Sequence, residues 1–270
     1  MQLKYQKLLK QIVGMSVVKQ LIRAFPTDKR QVDSIYDYIN VSEFFGPTIQ
    51  GEGTTTGKLA VFLRLQGCHV KCTWCDSTEI WHSGNPYEYE ELFKMLEDSG
   101  LMSKLKSGGY HFIVTGGSPL LQQHKLEKFF TEWLKKYQFL PYIEVENEGT
   151  IMPSLKLCGY VQQWNTSPKL RNCGVITEIR YKPDILTYLA TFVNSTFKFV
   201  ISDEKDWEEI MQDFIIPGYI KKNQVMLMAQ GASSSELYLY QQMVAELAIE
   251  KGVMYSPREH INIWNNRVGI

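Results

Sequence analysis

This chain of 270 residues has no excess of positive or negative charge, because its 29 lysines and arginines balance its 29 aspartates and glutamates. Nucleic-acid binding through phosphates favours a basic excess, so we expect no nucleic-acid partner. Long apolar runs are also missing: nothing approaches the roughly 18 to 20 residues of a membrane span, and the N-terminus lacks the apolar stretch of a secretory signal. The sequence predicts a soluble, cytoplasmic protein with no membrane partner.

Cysteine is scarce as well, with five residues in the whole chain. Three of them, Cys68, Cys72 and Cys75, fall within eight residues, which is too close for a disulfide framework. Their spacing indicates a metal site or catalysis instead. The other two, Cys158 and Cys173, supply too few thiols for a second metal cluster, and we expect them to pack as small apolar side chains.

The fold class follows from the alternation of short β-branched or aromatic runs with amphipathic segments. Such alternation predicts an α/β fold with a mostly parallel sheet, and 44% apolar residues suffice for a substantial core. The predicted strands are Leu59–Leu65, Tyr110–Thr115, Tyr142–Glu146, Gly159–Gln163, Thr196–Ile201 and Val225–Met228. The predicted helices are Tyr87–Leu96, Lys125–Tyr137, Asp206–Asp213 and Ser235–Lys251.

The first forty residues have a different pattern, typical of an amphipathic helix. Four lysines flank its apolar face, which consists of Leu8, Ile12, Met15, Val18 and Ile22. A membrane-surface role is one use of such a helix. Docking on the body of the protein or on a partner subunit is the interpretation we favour. We therefore divide the chain into an N-terminal helical extension, 1–40, and one domain, 41–270.

The cysteine loop begins three residues after the predicted strand Leu59–Leu65, so the three thiols lie at the carboxyl end of a strand. Structural zinc needs four ligands, and no candidate for the fourth stands at a familiar spacing. Those candidates are His69, His82, Cys158 and Cys173. Three thiolates instead suit three corners of a 4Fe–4S cluster, whose fourth iron stays open for a substrate or cofactor. The spacing favours the cluster and leaves zinc as the alternative.

The Cys-x-x-x-Cys-x-x-Cys spacing, with Trp74 just before the third cysteine, resembles the signature of radical S-adenosylmethionine (SAM) enzymes. Within that superfamily the chain resembles the 7-carboxy-7-deazaguanine synthases over residues 41 to 264. The matching segments, in the expected order, are Phe45–Gly53, Phe62–Leu65, Cys75–Ser77, Thr115–Gln122, Glu146–Thr150, Ser167–Lys169, Phe197–Val200 and His260. Residues 1–40 lie outside the resemblance.

This resemblance implies a modified, incomplete TIM-type barrel and a reaction. The reaction converts 6-carboxy-5,6,7,8-tetrahydropterin to 7-carboxy-7-deazaguanine with loss of ammonia, a step in queuosine-type 7-deazapurine biosynthesis. The implied cofactors are a 4Fe–4S cluster on Cys68, Cys72 and Cys75, SAM on the open iron, and Mg²⁺. An electron donor such as a flavodoxin or ferredoxin and a homodimeric assembly are also implied.

The resemblance assigns a group of residues to SAM: Gly116, Gly117, Ser118, Glu146, Ser167 and Lys169. The two glycines permit close backbone approach to the amino end of the cofactor. Ser118 stands where the family commonly has glutamate, so a carboxylate is missing there. Ser167 and Lys169 are expected to reach the ribose and the carboxylate of SAM. Glu146 is placed nearby without one specific contact, because its neighbours depart from the family's commoner threonine–asparagine pair.

A second group, Gln50, Glu52, Arg64 and His260, is assigned by the resemblance to the pterin. Strand alternation places Arg64 on one face with Ala60 and Phe62, towards the barrel interior. A guanidinium suits the pterin carboxylate, and the Glu52 carboxylate suits the N–H groups of the aminopyrimidine. An interior arginine needs a partner, so the alternative role of Arg64 is a structural ion pair with Glu52.

The implied magnesium site is at Ser77, which follows Asp76 directly after the last cysteine of the loop. Serine keeps the hydroxyl oxygen of the threonine that is commoner in the family, and Mg²⁺ accepts such oxygen ligands together with several waters. Two other functions compete with this interpretation. A glycyl-radical activase shares the cysteine loop but gives no reason for Gln50, Glu52 and Arg64. A zinc-stabilised binding protein needs no cluster at all.

Overall fold

The computed structural model describes residues 22–24, 37–267 and 269. Ten strands form one sheet: β1 (Ile22–Ala24), β2 (Tyr38–Ile49), β3 (Leu59–Leu65), β4 (Asn85–Glu88), β5 (His111–Gly116), β6 (Tyr142–Asn147), β7 (Gln163–Thr166), β8 (Ser195–Ile201), β9 (Val225–Ala229) and β10 (Met254–Ser256). The α-helices are α1 (Tyr89–Asp98), α2 (Leu101–Lys106), α3 (Gln123–Tyr137), α4 (Leu155–Cys158), α5 (Thr177–Arg180), α6 (Pro183–Leu189), α7 (Asp206–Glu209), α8 (Ser234–Lys251) and α9 (Glu259–Trp264).

The sheet is parallel from β3 onwards, in the order β3-β5-β6-β7-β8-β9-β10. The first edge is antiparallel, since β1, β3 and β4 all pair with β2 in that sense. Among the described residues no pairing joins β10 back to β1, so the sheet stays open. The predicted α/β class and incomplete barrel are therefore confirmed.

The two faces of the sheet differ in polarity, as the alternation in β3 predicts. Val61, Leu63 and Leu65 lie in the main core, and Phe62 belongs to a small separate cluster with Ala60, Phe45 and Ile113. In β6 the apolar Ile143 and Val145 belong to the main core, while Glu144 and Glu146 alternate with them. Charged side chains therefore occupy the inner face of the sheet, and this face contributes to the lining of the candidate active site.

Aromatic side chains fix the helices to the outer face of the sheet. Phe129 and Trp133, four residues apart on α3, share one side of that helix. Both are fully buried: the Phe129 ring lies 5.0 Å from that of Phe93 in α1, and the Trp133 ring lies 5.3 Å from that of Phe112 in β5. Such pairs order the helix layer against β5, whose carboxyl end carries the glycine pair of the site.

One strand was predicted at the wrong place. We expected Gly159–Gln163, but the strand is β7, Gln163–Thr166, and α4 ends at Cys158 just before the predicted segment. The apolar residues that suggested a strand, Tyr160 and Val161, pack at the edge of the core instead. The true strand places Gln163 and Asn165 in polar contacts inside the barrel, so it lacks an apolar alternation.

The remaining predicted elements are present, and all except Leu59–Leu65 have at least one shifted end. The segment predicted as the helix Asp206–Asp213 begins as α7 and continues as a π-helical turn over Ile210–Ile215. Tyr87, predicted as the first residue of a helix, lies in β4, and α1 begins two residues later. The other helices and strands begin and end within two residues of the prediction.

The predicted N-terminal helix lies outside the described residues except at its end. There Ile22, which we placed on the apolar face of that helix, is buried in β1 opposite Gly46 of β2. The backbone here pairs as a strand with β2, and the Ile22 side chain packs in the main core, so the helix prediction is wrong at this position. The division of the chain at residue 40 stays a prediction. Every helix of the described residues is too short or too polar to cross a bilayer.

Candidate active site

A cavity of about 1000 Å³ lies at the carboxyl ends of the parallel strands. Ligand sites in open α/β sheets and barrels are commonly found at this end. The predicted residues that line it are Gln50, Glu52, Arg64, Cys68, Cys72, Cys75, Ser77, Gly116, Gly117, Glu146, Ser167, Lys169 and His260. Ser118 does not line the cavity; it is fully buried, and its hydroxyl lies 3.6 Å from the Cys68 sulfur.

The glycine pair after β5 packs directly against the cysteine loop. A Cβ atom on Gly117 would lie 2.3 Å from the Cβ of Cys68, and one on Gly116 would lie 2.6 Å from the carbonyl oxygen of Leu65. The Ser118 amide also donates to the carbonyl of Gly67 at 2.9 Å. Only glycine fits at such approaches. The pair therefore sets the position of Cys68, a role that sequence reasoning missed.

The three cysteines of the loop all line the cavity, and all five cysteines are free. As the side chains stand, no three His, Cys, Asp or Glu groups among the described residues converge tightly enough to hold a metal ion. The donor set nevertheless fits a cluster, because thiolates are its usual protein ligands and all three come from one loop that lines one cavity.

Cys173 is the unexpected neighbour of this loop. It is fully buried, packs with Cys72 and Val70, and shares a hydrogen bond with the Cys72 thiol. That hydrogen bond lowers the pKa of Cys173 to about 6, although burial acts in the opposite direction. Burial of Cys173 agrees with its predicted packing role. Cys158 is only partly buried, and its sulfur lies 3.8 Å from the Tyr188 hydroxyl.

Glu52 lies at the centre of a buried network of charges. One carboxylate oxygen accepts from the Lys198 ammonium, and the other lies 2.8 Å from Nε of Arg258. Burial alone would raise the pKa of Glu52, but the charges of Lys198 and Arg258 outweigh it and hold the pKa well below its usual range. The carboxylate is therefore ionised and acts as a hydrogen-bond acceptor at neutral pH.

Arg258 joins Glu52 to the end of the cysteine loop. Its terminal nitrogen donates to Asp76 at 2.6 Å, and Asp76 in turn accepts from the Ser77 hydroxyl at 2.8 Å. The pKa of Asp76 is lowered, because the contact with Arg258 outweighs the effect of burial. Three hydrogen bonds, through Arg258 and Asp76, thus connect the predicted pterin residue Glu52 with the predicted magnesium residue Ser77.

His260 lies in the short helix α9. Its ring packs so closely against Gly51 that a Cβ there would lie 2.1 Å from Nδ1, and its Nε2 is 3.9 Å from Glu52. Burial lowers the pKa of His260, although the Glu52 charge opposes that effect. The ring therefore forms a wall of the cavity beside the Glu52 carboxylate.

Arg64 has a different partner from the one we considered. Its Nε lies 2.6 Å from the carboxylate of Glu43 in β2, the strand paired with β3, while Glu52 is engaged by Lys198 and Arg258. The alternative ion pair between Arg64 and Glu52 is therefore wrong. The inward direction predicted for Arg64 agrees with its place in the lining of the cavity.

Hydrogen bonds connect the two predicted groups of site residues. Gln50 donates to Glu146 at 3.0 Å, and the other oxygen of Glu146 accepts from Thr115 at 2.8 Å. Both oxygens of Glu146 thus have donors from the protein. In the loop after β7, the strand next to β6, the Lys169 ammonium donates to the Ser167 hydroxyl at 2.9 Å. The structure brings these side chains together around one space.

Sequence reasoning missed the partners of the predicted residues: Lys198, Arg258 and Glu43. A signal for Lys198 existed, because it alternates with Phe197 and Phe199 in a predicted strand and therefore faces inward. Arg258 stands only two residues before His260, but nothing in the local pattern indicates that its partners are Glu52 and Asp76. Glu43 lies in β2, for which we predicted no strand.

Comparison with known proteins agrees with this arrangement. A family profile described as "4Fe-4S single cluster domain" matches residues 49–156, which include all three loop cysteines. The 7-carboxy-7-deazaguanine synthase of Pyrobaculum aerophilum is 32% identical over 86% of this chain and 97% of its own length. That of Bacillus subtilis is 28% identical over 86% of this chain and 98% of its own length.

The solved structure of QueE from Escherichia coli superposes with a TM-score of 0.59 and 20% identity, over 86% of this chain and all of that one. This likeness shows the shared fold. The identity of 32% over nearly the full length of the Pyrobaculum relative shows, in addition, to which family the chain belongs, and this is the family that the motifs predict. The chain therefore belongs to the 7-carboxy-7-deazaguanine synthase family.

Proposed function

We propose that this protein is a radical SAM enzyme that converts 6-carboxy-5,6,7,8-tetrahydropterin to 7-carboxy-7-deazaguanine with loss of ammonia. The single observation that carries the proposal is the composition of the cavity. The cavity is lined by a loop of three cysteines, by the backbone of a glycine turn, and by a set of fixed charges that includes Glu52 and Arg64. Membership of the family supports the same reaction.

In this proposal Cys68, Cys72 and Cys75 hold the 4Fe–4S cluster. When bound, the cluster and SAM would supply one-electron radical chemistry. The protein positions the groups and excludes water. Ser167 and Lys169 offer a hydroxyl and an ammonium to the ribose and carboxylate of SAM, and Gly116–Gly117 offers backbone groups. Glu146 orients Gln50 at the boundary between cofactor and substrate.

The pterin is oriented by charges that are fixed before it binds. The guanidinium of Arg64 has five N–H donors, and its contact with Glu43 runs through Nε. Glu52 stays ionised and offers further lone pairs besides those used by Lys198 and Arg258. Preorganised charges of this kind contribute to catalysis because they need little rearrangement during the reaction.

Four further parts of the proposal follow from the chemistry and the resemblance. The cluster needs an external one-electron donor, such as a flavodoxin or ferredoxin. The assembly is a homodimer, and the protein acts in the cytoplasm. Mg²⁺ binds at Ser77, whose hydroxyl lines the cavity beside the Asp76 carboxylate. Both side chains offer oxygen, which is the ligand that Mg²⁺ prefers.

The proposed function is tested by anaerobic incubation of the reconstituted protein with SAM, a reductant, Mg²⁺ and the carboxypterin. We expect 7-carboxy-7-deazaguanine and ammonia, and about four iron and four sulfide per chain, as one cubane requires. One zinc and no iron would support the zinc-stabilised binding protein. Cleavage of SAM without conversion of the pterin would support another radical enzyme, such as an activase.

The role of Ser77 gives a prediction about magnesium. Ser77→Ala deletes one oxygen ligand from an ion that keeps several waters, so most of the stimulation of product formation by Mg²⁺ is expected to disappear. Ser77→Thr keeps the oxygen and is expected to keep the stimulation. Iron content and SAM binding serve as controls and should not change. Undiminished stimulation in Ser77→Ala would place the metal elsewhere, with Asp76 the next residue to test.

Arg64 gives a prediction about the substrate. Arg64→Lys keeps the charge but loses the planar two-pronged donor, so pterin binding should weaken by on the order of 1.5 to 3 kcal/mol. Affinity for SAM should barely change. Calorimetric titration of the two ligands into the reconstituted variant measures both effects. Equal losses for SAM and pterin would place Arg64 at the cofactor or in the scaffold.

A further inference from the structure

Glu148 is a buried carboxylate with one oxygen that nothing in the protein satisfies. It follows β6 by one residue, is 3% exposed, and lines the cavity. In the described part of the chain no donor lies within hydrogen-bond distance of its Oε2. An unpaired carboxylate oxygen in such a place is strongly unfavourable, so a bound group that brings a donor is the natural partner.

The other oxygen of Glu148 is held firmly. Thr150 donates its hydroxyl proton to Oε1 at 2.7 Å, and the same hydroxyl lies 2.8 Å from Nε2 of His69. Since the threonine proton points to the glutamate, the His69 ring donates to the threonine oxygen. The chain of hydrogen bonds fixes the carboxylate relative to His69, which is 4.0 Å from Glu148 and directly follows Cys68.

The position of this oxygen identifies the kind of donor. Through Thr150 and His69, Glu148 is tied to the cysteine loop, whereas Glu52 is tied to Lys198 and Arg258. A ligand group that reaches Glu148 therefore lies beside the cluster end of the cavity. A buried carboxylate is best satisfied there by N–H groups that carry partial or full positive charge.

We propose that Glu148 accepts a hydrogen bond from the amino group of the bound SAM. The inference rests on the proposed function, because it requires SAM as the cofactor. It also accounts for the serine at position 118, since that side chain is buried against Cys68 and offers no carboxylate to the cavity. In this arrangement Glu148, in the loop after β6, provides the negative charge beside the amino group of the cofactor.

The test is equilibrium binding to the reconstituted, cluster-loaded protein. SAM is compared with its deaminated analogue, in which a keto oxygen replaces the amino group, and with 5′-methylthioadenosine, which lacks the amino-acid part. Glu148→Gln should weaken SAM binding at least tenfold, because the charge is lost. Binding of the other two ligands should change by less than threefold. Glu127→Gln is the matched control: this partly buried carboxylate in α3 contacts Ser154 outside the cavity.

Glu148→Asn is the second variant, since it also removes the charge and has a shorter side chain than glutamine. Iron content reports whether the cluster is intact in each variant. Unchanged SAM affinity in both variants, or an equal loss for SAM and the deaminated analogue, would overturn the inference. Loss of the cluster in both variants would assign Glu148 to the scaffold and overturn it too. If the wild-type protein itself binds no SAM, the proposed function fails.

Discussion

Single replacement of Cys68, Cys72 or Cys75 by alanine is expected to abolish both the visible iron–sulfur absorbance and the cleavage of SAM. Three thiolates are the minimum that holds a cubane with one open iron, so no loop cysteine is dispensable. Among the described residues, the cysteines that line the cavity are these three. Absorbance, iron content and release of 5′-deoxyadenosine, all measured anaerobically after reconstitution, report the result.

Cys173 and Cys158 serve as controls for this series. Cys173 is the stringent one, because its thiol meets that of Cys72 directly, whereas Cys158 contacts Tyr188. Cys173→Ala and Cys158→Ala should both retain the cluster, since we assign both residues to packing. Full absorbance in all three loop variants would exclude the assigned ligands. Loss of the cluster in Cys173→Ala alone would give that buried thiol a part in holding it.

Strand periodicity explains how much of the site could be predicted. The run Leu59–Leu65 matches β3 residue for residue, and its alternation correctly separates Val61, Leu63 and Leu65 from Ala60 and Phe62. Once parallel strands are recognised, their carboxyl ends must meet at one edge of the sheet. The loops with Cys68, Gly116 and Ser167 therefore come together without any knowledge of distant contacts.

Periodicity fails where polar side chains face inwards. Gln163 and Asn165 of β7 take part in a buried hydrogen-bond network with Glu144, which also lies 2.6 Å from His111. A strand whose inner face carries amide and hydroxyl side chains does not show the apolar alternation of β3. The start of β7 was therefore predicted four residues too early. The apolar pair Tyr160 and Val161 supplied a misleading signal.

Ion pairing within the site is decided by long-range geometry. Glu52 meets Lys198 and Arg258, which are 146 and 206 residues away along the chain. A single sequence contains no local signal that pairs such positions. The requirement that an interior arginine has a partner was correct for Arg64, but the nearest carboxylate proved to be Glu43 on the adjacent strand. Physical chemistry thus predicts that a partner exists and leaves its identity to the fold.

The Glu52 network gives the second prediction with a large effect. Glu52→Gln keeps the shape of the side chain but leaves the buried cations Lys198 and Arg258 without the carboxylate between them. Removing one member of a buried charge network is strongly unfavourable, so the free energy of unfolding at pH 7 should fall by about 3 kcal/mol. Pterin affinity should fall as well, because the amide offers one acceptor where the carboxylate offers two. Affinity for SAM should change little.

The pH dependence separates this effect from a simple packing defect. The pKa of Glu52 is depressed in the folded protein, so its contribution to stability is present above the unfolded value of about 4.3. That contribution is lost only as the pH falls through the lower pKa of the folded state. The difference in unfolding free energy between wild type and Glu52→Gln should therefore stay constant from pH 7 to pH 5. It should narrow only in more acidic solution.

Urea unfolding at several pH values and calorimetric titration of both ligands measure these quantities. Glu43→Gln is the comparison variant, because it removes from the same cavity a carboxylate whose one cationic partner among the described side chains is Arg64. Its loss of stability should be smaller than that of Glu52→Gln, since one cation rather than two loses its partner. Equal stability of Glu52→Gln and wild type at pH 7 would show that Lys198 and Arg258 do not depend on this carboxylate. Glu52 would then be a residue for the substrate alone.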